Sequence, residues 1–295
     1  MSVAILVLVT HPVLGNTPSV DGLGYTLVPS NAPQLNVLDL GATRGDGVFE
    51  TIGVTNGRAR ALSAHLARFS NSARMLDLPE VDLEVWTRSI QAAIAAQIPV
   101  VELYVKIVLT RGIEGEGSPT GWVYAGEVAS LGGARTQGIR VIALDRGYPH
   151  DVAVRSPWLL QGAKTLSYAV NRAALREAAR RGADDVIFLS SDGFLLEGPT
   201  STLILRHGNR VRTPRVDLGI LAGTTQESAF LFFAAQGLET SYEAMSANAV
   251  YTADSAWLVS SVRLAAPIRA FNGRNIQVDK DLTTQLNEYL LACPS

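Results

Sequence analysis

A chain of 295 residues, 47% apolar and 18% charged, is long enough for one large or two moderate domains and has the balance of a soluble globular protein. A formal charge of −2 without a basic stripe argues against a nucleic-acid partner, and no apolar run approaches the roughly 18 residues needed to cross a bilayer. One cysteine, Cys293, excludes an internal disulfide framework, and four scattered histidines offer no metal-ligand spacing, so the expected setting is the cytoplasm.

The opening MSVAILVLVTHPVLG is apolar, lacks a basic leader region and reads as a strand rather than a signal peptide. GVFETIGVTNGRARA (47–61) has the pattern of a hairpin turning at Asn56-Gly57. LSAHLARFSNSARML (62–76) then takes helical spacing, with Leu66, Phe69, Ala73 and Leu76 on one face and Ser63 as the expected N-cap. A second helix is expected over 82–97, and ELYVKIVLTRG (102–112) reads as a strand entering the glycine-rich loop GIEGEGSPTG. The polar stretch ASLGGARTQG (129–138) has no periodicity and marks a boundary between domains of residues 1–129 and 138–295.

IRVIAL opens the second domain as a strand, and an irregular stretch leads to Lys164. From Thr165 the polar pairs Asn171/Arg172, Arg176/Glu177 and Arg180/Arg181 recur every four to five residues. Val170, Ala173, Ala174 and Ala178 lie between them and Gly182 supplies a stop, which predicts an amphipathic helix with Lys164 at its entry. DVIFLSSDGFLLEG reads as a hairpin turning at Asp192-Gly193, followed by the strand pair STLILRHGNRVRTP. GILAGTTQESAFLFFAAQG (219–237) is a loop and helix with Thr224 and Glu227 at capping-box spacing, and SAWLVSSV (255–262) is a buried strand. Strands and helices do not strictly alternate, so the expected class is α+β.

Three features could carry chemistry. The chain holds 22 arginines but only three lysines, Lys106, Lys164 and Lys280. Lys164 is either a surface lysine near a helix end or a reactive amine: it has no acid in the ten residues before it, and a lysine near a positive helix end or out of water has a lowered pKa, the state a Schiff-base nucleophile needs. Glu197 ends an apolar strand before Gly-Pro, either as a surface acid or as a carboxylate for a protonated ring nitrogen. Gly223, Thr224 and Thr225 open a helix that could either be plainly capped or offer N–H groups and hydroxyls to a phosphate. Arg68 could serve the same phosphate or be solvated. A Schiff-base lysine, a ring-nitrogen carboxylate and a phosphate cup together are what pyridoxal phosphate requires.

GDGVFET (45–51), HLARF (65–69), TRG (110–112), GAKTLSYAVN (162–171), DGFLLEGPTSTL (192–203) and GILAGTTQ (219–226), in that order, resemble the class IV aminotransferases. These are fold-type-IV pyridoxal-phosphate enzymes, among them branched-chain and D-amino acid aminotransferases, (R)-amine transaminases and aminodeoxychorismate lyase. The resemblance implies a small N-terminal α/β domain and a larger C-terminal domain with the cofactor between them. It also implies small-molecule amino and keto substrates, and a homodimer in which a loop of one subunit closes the other's site. By motif position Lys164 would form the Schiff base with pyridoxal 5'-phosphate and Glu197 would pair with the pyridine nitrogen. Arg68, Thr224, Thr225 and Ser261 would hold the phosphate, and Tyr168 would reach the phenolic oxygen.

The implied reaction is transfer of an amino group to a keto acid, with Lys164 moving the proton. In the lyase alternative, pyruvate leaves aminodeoxychorismate to give 4-aminobenzoate, and the remote alternative is a non-catalytic cofactor-binding protein. D-amino acid enzymes carry an arginine and a histidine shortly after TRG, where Glu116 and Ser118 stand here, and Phe49 replaces their aromatic hydroxyl. Those differences argue against a D-amino acid substrate. Branched-chain enzymes have a glycine in place of Thr51, and GDGVFET, TRG and TPRVDLGILAGT lean toward lyase-like members. Arg263 is either a carboxylate ligand or an exposed strand-end arginine. Phe49, Thr51 and Arg263 are therefore the substrate-facing candidates.

Overall fold

The computed structural model describes residues 4–15, 22–131 and 133–292, and Cys293 lies outside them. The chain divides into two compact units. One takes in the described residues up to Ala129 together with Ala163–Tyr168, and the other takes in Ser130–Gly162 and the described residues from Ala169 onward.

The first unit runs β1 (Ile5–Val9), β2 (Tyr25–Val28), α1 (Leu40–Thr43), β3 (Gly47–Thr55), β4 (Arg58–Ala59), α2 (Leu62–Met75), α3 (Leu83–Ala95), β5 (Glu102–Thr110) and β6 (Thr120–Glu127). Its six-stranded sheet has the order β2-β1-β6-β5-β3-β4, and every pairing is antiparallel. In β3 the even residues Val48, Glu50, Ile52 and Val54 are buried, while Phe49 and Thr51 on the opposite face are half-buried, the alternation a half-covered strand demands. Phe69 of α2 and Trp86 of α3 meet edge to face at 5.0 Å, and Trp86 donates its indole N–H to the Pro12 carbonyl at 2.9 Å.

The hairpin turns at Asn56-Gly57 as expected, both residues with positive φ. Ser63 is not the cap of α2. The helix begins at Leu62 behind Ala61, which is left-handed and gives no side-chain cap, whereas α3 is capped by Asp82 accepting from Glu84 and Val85 N–H.

The signatures GDG and TRG are tied to each other. Arg111 donates its Nε to Asp46 at 2.7 Å and its Nη2 to the Leu76 carbonyl at 2.6 Å. Gly112 has φ of +88°, and a Cβ there would stand 1.8 Å from the Ser118 carbonyl oxygen.

Residues 163–168 join β3 along its free edge. Phe49 N–H donates to the Lys164 carbonyl at 3.0 Å, Thr165 bridges Val48, and Leu166 N–H donates to the Gly47 carbonyl at 2.8 Å. The sequence boundary assigns these six residues to the later domain, but their backbone partners belong to the first.

The second unit runs β7 (Ile139–Asp145), α4 (Val152–Arg155), α5 (Ala169–Arg180), β8 (Asp185–Leu189), β9 (Thr202–His207), β10 (Arg210–Pro214), α6 (Thr224–Ala235), β11 (Glu239–Glu243), α7 (Asn248–Tyr251), β12 (Ser255–Ser260), β13 (Leu264–Phe271), β14 (Arg274–Asn275) and α8 (Lys280–Ala292). Its strands lie in the order β11-β10-β9-β12-β13-β7-β8, with β14 beside β13. The β10–β11, β13–β7 and β7–β8 pairs are parallel and the others antiparallel, so the sheet is mixed and the fold is α+β.

Alternate residues of β12 feed two cores. Trp257 and Val259 pack with Phe233 and Leu286 of α6 and α8, while Ala256 and Leu258 pack with Leu203 and Phe271. Asn287 pins α8 to β13 by bonding both the N–H and the carbonyl of Ala265.

Three local expectations change here. The helix after Lys164 begins at Ala169 rather than Thr165, because residues 164–166 are spent on pairing with β3. Thr224 and Glu227 form no capping box, since Gly223 holds the cap position and Glu227 N–H bonds the Gly223 carbonyl. The second hairpin closes by Gly193 N–H to the Ser190 carbonyl, which makes Ser191 and Asp192 the central residues.

Gly112→Ala is expected to lower stability by at least about 2 kcal/mol, from left-handed strain and a backbone clash. Urea unfolding of the purified variant checks this, and an unchanged midpoint would refute it.

Candidate functional site

In the first unit the alternation of β3 places Phe49 and Thr51 on the sheet face turned away from α2 and α3. In the edge pairing Lys164 lies beside Phe49, and its Nζ sits 4.5 Å from the Phe49 ring centroid. The Lys164 N–H reaches the hydroxyl of Ser72, a fully buried residue of α2, at 3.1 Å. Its position is therefore set by a strand edge and an aromatic face. The positive end of α5, five residues later, is too far along the chain to account for it, because that field acts within the first turn. Tyr168 also meets the Phe49 ring edge to face, with centroids 5.5 Å apart.

Arg68 is neither solvated nor alone. It grips the fully buried Glu50 with two parallel bonds, Nε to Oε1 at 2.7 Å and Nη2 to Oε2 at 2.8 Å, and His65 Nδ1 lies 2.8 Å from Oε2. Burial pushes the Glu50 carboxyl up, but Arg68 and the hydrogen bonds from His65 and Arg68 outweigh it and hold the group at about 2. Burial takes the His65 imidazole below its usual range against the pull of Glu50, with the Arg68 and Lys164 charges adding to the fall. Sequence reading passed over Glu50, although its signal lay within GDGVFET: an acid at a core-facing position between Val48 and Ile52.

The second unit gathers the other candidates. Glu197, half-buried, accepts the Leu221 N–H on Oε1 at 3.2 Å, which ties the GPTS stretch to the GILAGT loop. Asn171, the last residue of the GAKTLSYAVN signature, donates to the Pro199 carbonyl at 2.7 Å and is held by Arg146, whose guanidinium lies over the Phe188 ring.

Thr224 and Thr225 are the first two residues of α6, and no side chain caps the helix at Gly223. A Cβ on Gly223 would fall 2.4 Å from the Thr202 hydroxyl, and Thr202 lies beside Val259 in the β9–β12 register. The start of α6 and the end of β12, just before Ser261, thus converge on Thr202, a residue the motifs did not single out. Such an array of N–H groups and hydroxyls suits an anion.

Arg263 is not an exposed strand-end residue. Its Nη2 lies 2.7 Å from the Asp185 carboxylate, which is 1% exposed, while Arg135 donates to the Val262 and Arg263 carbonyls at 2.8 and 3.0 Å. The turn between β12 and β13 is held from both sides.

Residues 47–271 match the family profile described as amino-transferase class IV. The chain is 44% identical over 254 residues, 83% of its length and 88% of the relative's, to the bifunctional aminodeoxychorismate lyase / D-amino acid transaminase of Mycobacterium tuberculosis. Its fold is similar to that of the fold IV-transaminase CpuTA1 from Curtobacterium pusillum, with a TM-score of 0.95 and 54% identity across 98% of this chain and 97% of that one. It is also similar to a hypothetical aminotransferase from Mycobacterium tuberculosis in its PLP-bound form, with a TM-score of 0.88 and 38% identity across 98% and 99% of the two chains.

Two outcomes follow from the ion pairs. Glu50 and His65 both bind protons less readily folded than unfolded, so stability rises with pH. The melting temperature is expected to fall once the pH drops below the usual imidazole value of 6.5, and further from 4.5 toward 2. Calorimetry across pH 7 to 3 checks this, and Glu50→Gln should flatten the lower part of the curve. Arg263→Ala leaves the Asp185 charge buried without its partner and is expected to cost about 3–5 kcal/mol. A variant that unfolds like the parent and instead only loses substrate affinity would overturn the structural role.

Proposed function

The chain belongs to the class IV aminotransferases and is an enzyme, and we propose that it uses pyridoxal phosphate to move an amino group between an amino acid or amine and a keto acid. The observation that carries this reading is the ε-amine of Lys164, seated over Phe49 by backbone pairing to β3.

The residues fit the cofactor by their chemistry: a primary amine at Lys164, a carboxylate at Glu197 steadied by a backbone N–H, and a helix start with two hydroxyls and no side-chain cap. Lys164 would hold the cofactor through its amine and Glu197 would accept a hydrogen bond from the ring nitrogen. Thr224, Thr225 and Ser261 would bind the phosphate, with Arg68, oriented by Glu50, as a further phosphate ligand. Tyr168 would donate toward the phenolic oxygen. Bound pyridoxal phosphate supplies an electron sink for the charge left at the substrate Cα when its proton is taken. Lys164 would move that proton, its amine taking it from the substrate Cα. Glu197 would keep the ring nitrogen protonated, and the Phe49 face lies against the amine.

A second reading is aminodeoxychorismate lyase activity, favoured by the 44% identical relative that bears both activities in its name. That name also supports D-amino donors, despite Glu116 and Ser118 after TRG. A homodimer in the cytoplasm accompanies either reading.

The test offers the cofactor-loaded protein aminodeoxychorismate, or a panel of amino donors with pyruvate or 2-oxoglutarate. Acceptor-dependent turnover is expected, and 4-aminobenzoate formed without a keto acceptor would select the lyase. Lys164→Ala is expected to lose the visible absorbance band of the bound cofactor and at least 1000-fold in rate, given that removing a proton-transfer group alone costs roughly 100- to 10,000-fold. A band that persists in that variant would refute the role of Lys164.

A further inference from the structure

The polar stretch at 129–138, aperiodic in sequence, closes into a tight turn over residues 133–137. The Gly133 carbonyl accepts from both Thr136 and Gln137 N–H, at 3.0 and 2.7 Å. Ala134 packs against the core that holds Leu258 of β12 and Ile268 of β13. Gly138 runs so close to β13 that a Cβ there would stand 2.7 Å from the Pro267 carbonyl oxygen. The segment is thus fastened to β13, and from it Arg135 reaches the turn at the start of that strand.

Arg135 is half-buried and donates to two successive carbonyls, Nη2 to Val262 at 2.8 Å and Nε to Arg263 at 3.0 Å. Residues 261–263 join the paired residues Ser260 of β12 and Leu264 of β13. Leu264 closes the turn with φ of +61°, a left-handed conformation that a leucine keeps only where its surroundings over-determine it. Those surroundings are Arg135 on the carbonyls, Asp185 of β8 beside the Arg263 guanidinium at 2.7 Å, and Asn287 of α8 on Ala265.

The carbonyls of Val262 and Arg263 are taken, whereas their N–H groups donate to no acceptor among the described residues. Beside the Ser261 hydroxyl, this leaves a turn with spare donors and neutralised acceptors, the polarity that suits an anion. Unclaimed carbonyl oxygens at the same place would repel a dianion.

We propose that Arg135 is a positioning residue for the cofactor phosphate: by gripping the Val262 and Arg263 carbonyls it holds the Ser261 turn in its donor-rich form. The proposal rests on the pyridoxal-phosphate reading and deepens it, because it assigns retention of the phosphate to a residue that acts through backbone. A lysine would supply the charge but not the planar fork that spans two carbonyls. An arginine that merely fastened residues 133–138 would change stability without distinguishing a ligand that carries phosphate from one that does not.

Full-length parent, Arg135→Gln, Arg135→Lys and Arg269→Gln proteins, freed of cofactor by dialysis, are titrated with pyridoxal 5'-phosphate and with pyridoxal. Pyridoxal keeps the ring and the aldehyde but lacks the phosphate, and binding of either is read from the visible band. Arg269 fastens the same segment by donating to the Gly138 carbonyl at 3.3 Å, so its variant controls for a purely structural effect. The affinity ratio of pyridoxal 5'-phosphate over pyridoxal is expected to fall about 10-fold in Arg135→Gln and about 3-fold in Arg135→Lys. It is expected to match the parent in Arg269→Gln. Each ratio compares two ligands on one protein, so a loss common to both cancels, and the Lys variant carries the comparison if Arg135→Gln does not fold. Ratios within twofold of the parent in the Arg135 variants, or an equal fall in Arg269→Gln, would overturn the role of Arg135. A parent that binds neither ligand would instead overturn the pyridoxal-phosphate reading. Inorganic phosphate titrated calorimetrically into the parent and the Arg135 variants would then decide whether Arg135 supports an anion at the turn, equal affinities counting against it.

Discussion

The alternation of β3 is the constraint on which the first unit depends. Its even residues bury Val48, Ile52 and Val54 with the Glu50 carboxylate among them, and its odd residues turn Phe49 and Thr51 to the other face. A slip of one residue would expose the apolar set and carry the Phe49 ring into the core. The bonds of Glu50 to Arg68 and His65 guard that register. A buried charge is tolerable only where its partners stand, and those partners are on α2. The free edge of β3 then receives Lys164, so one strand sets the ring, the ion pair and the amine together.

The same logic explains why short signatures recur as units. In GDGVFET, Asp46 holds Arg111 of TRG, Gly47 accepts the Leu166 N–H, Phe49 supplies the aromatic face and Glu50 anchors α2. Asn171, at the end of the lysine signature, reaches Pro199 in the stretch that follows Glu197. Much of what reads as a catalytic motif is thus a set of braces around a few reactive groups. Arg263 belongs to the braces as well, since its guanidinium neutralises Asp185 while Arg135 grips the carbonyls of the same turn.

A class IV aminotransferase must discriminate among acids and amines while sharing one cofactor chemistry. The far face of the first sheet carries Lys106, Tyr104 and Tyr124, residues that no signature marks. Reactive groups are tied to motif positions because the cofactor is constant. Groups that read the substrate are free to vary in type and place along a strand, and only sheet register reveals which of them are neighbours.

By itself the sequence determined the α+β class, most strands and helices and the family, and it marked Lys164 and Glu197 as candidates for the chemistry. Those features depend on local periodicity, turn residues and functional groups that a linear reading exposes. It misplaced the start of α5 and the caps of α2 and α6, and it left the surroundings of Lys164, Arg68 and Arg263 open. The last three are settled by a partner far away in the chain: β3 for Lys164, Glu50 for Arg68, Asp185 for Arg263. Only tertiary structure decided them, because burying a charge or leaving a backbone group unpaired carries a cost that depends on what the fold brings beside it, which spacing along the sequence does not encode.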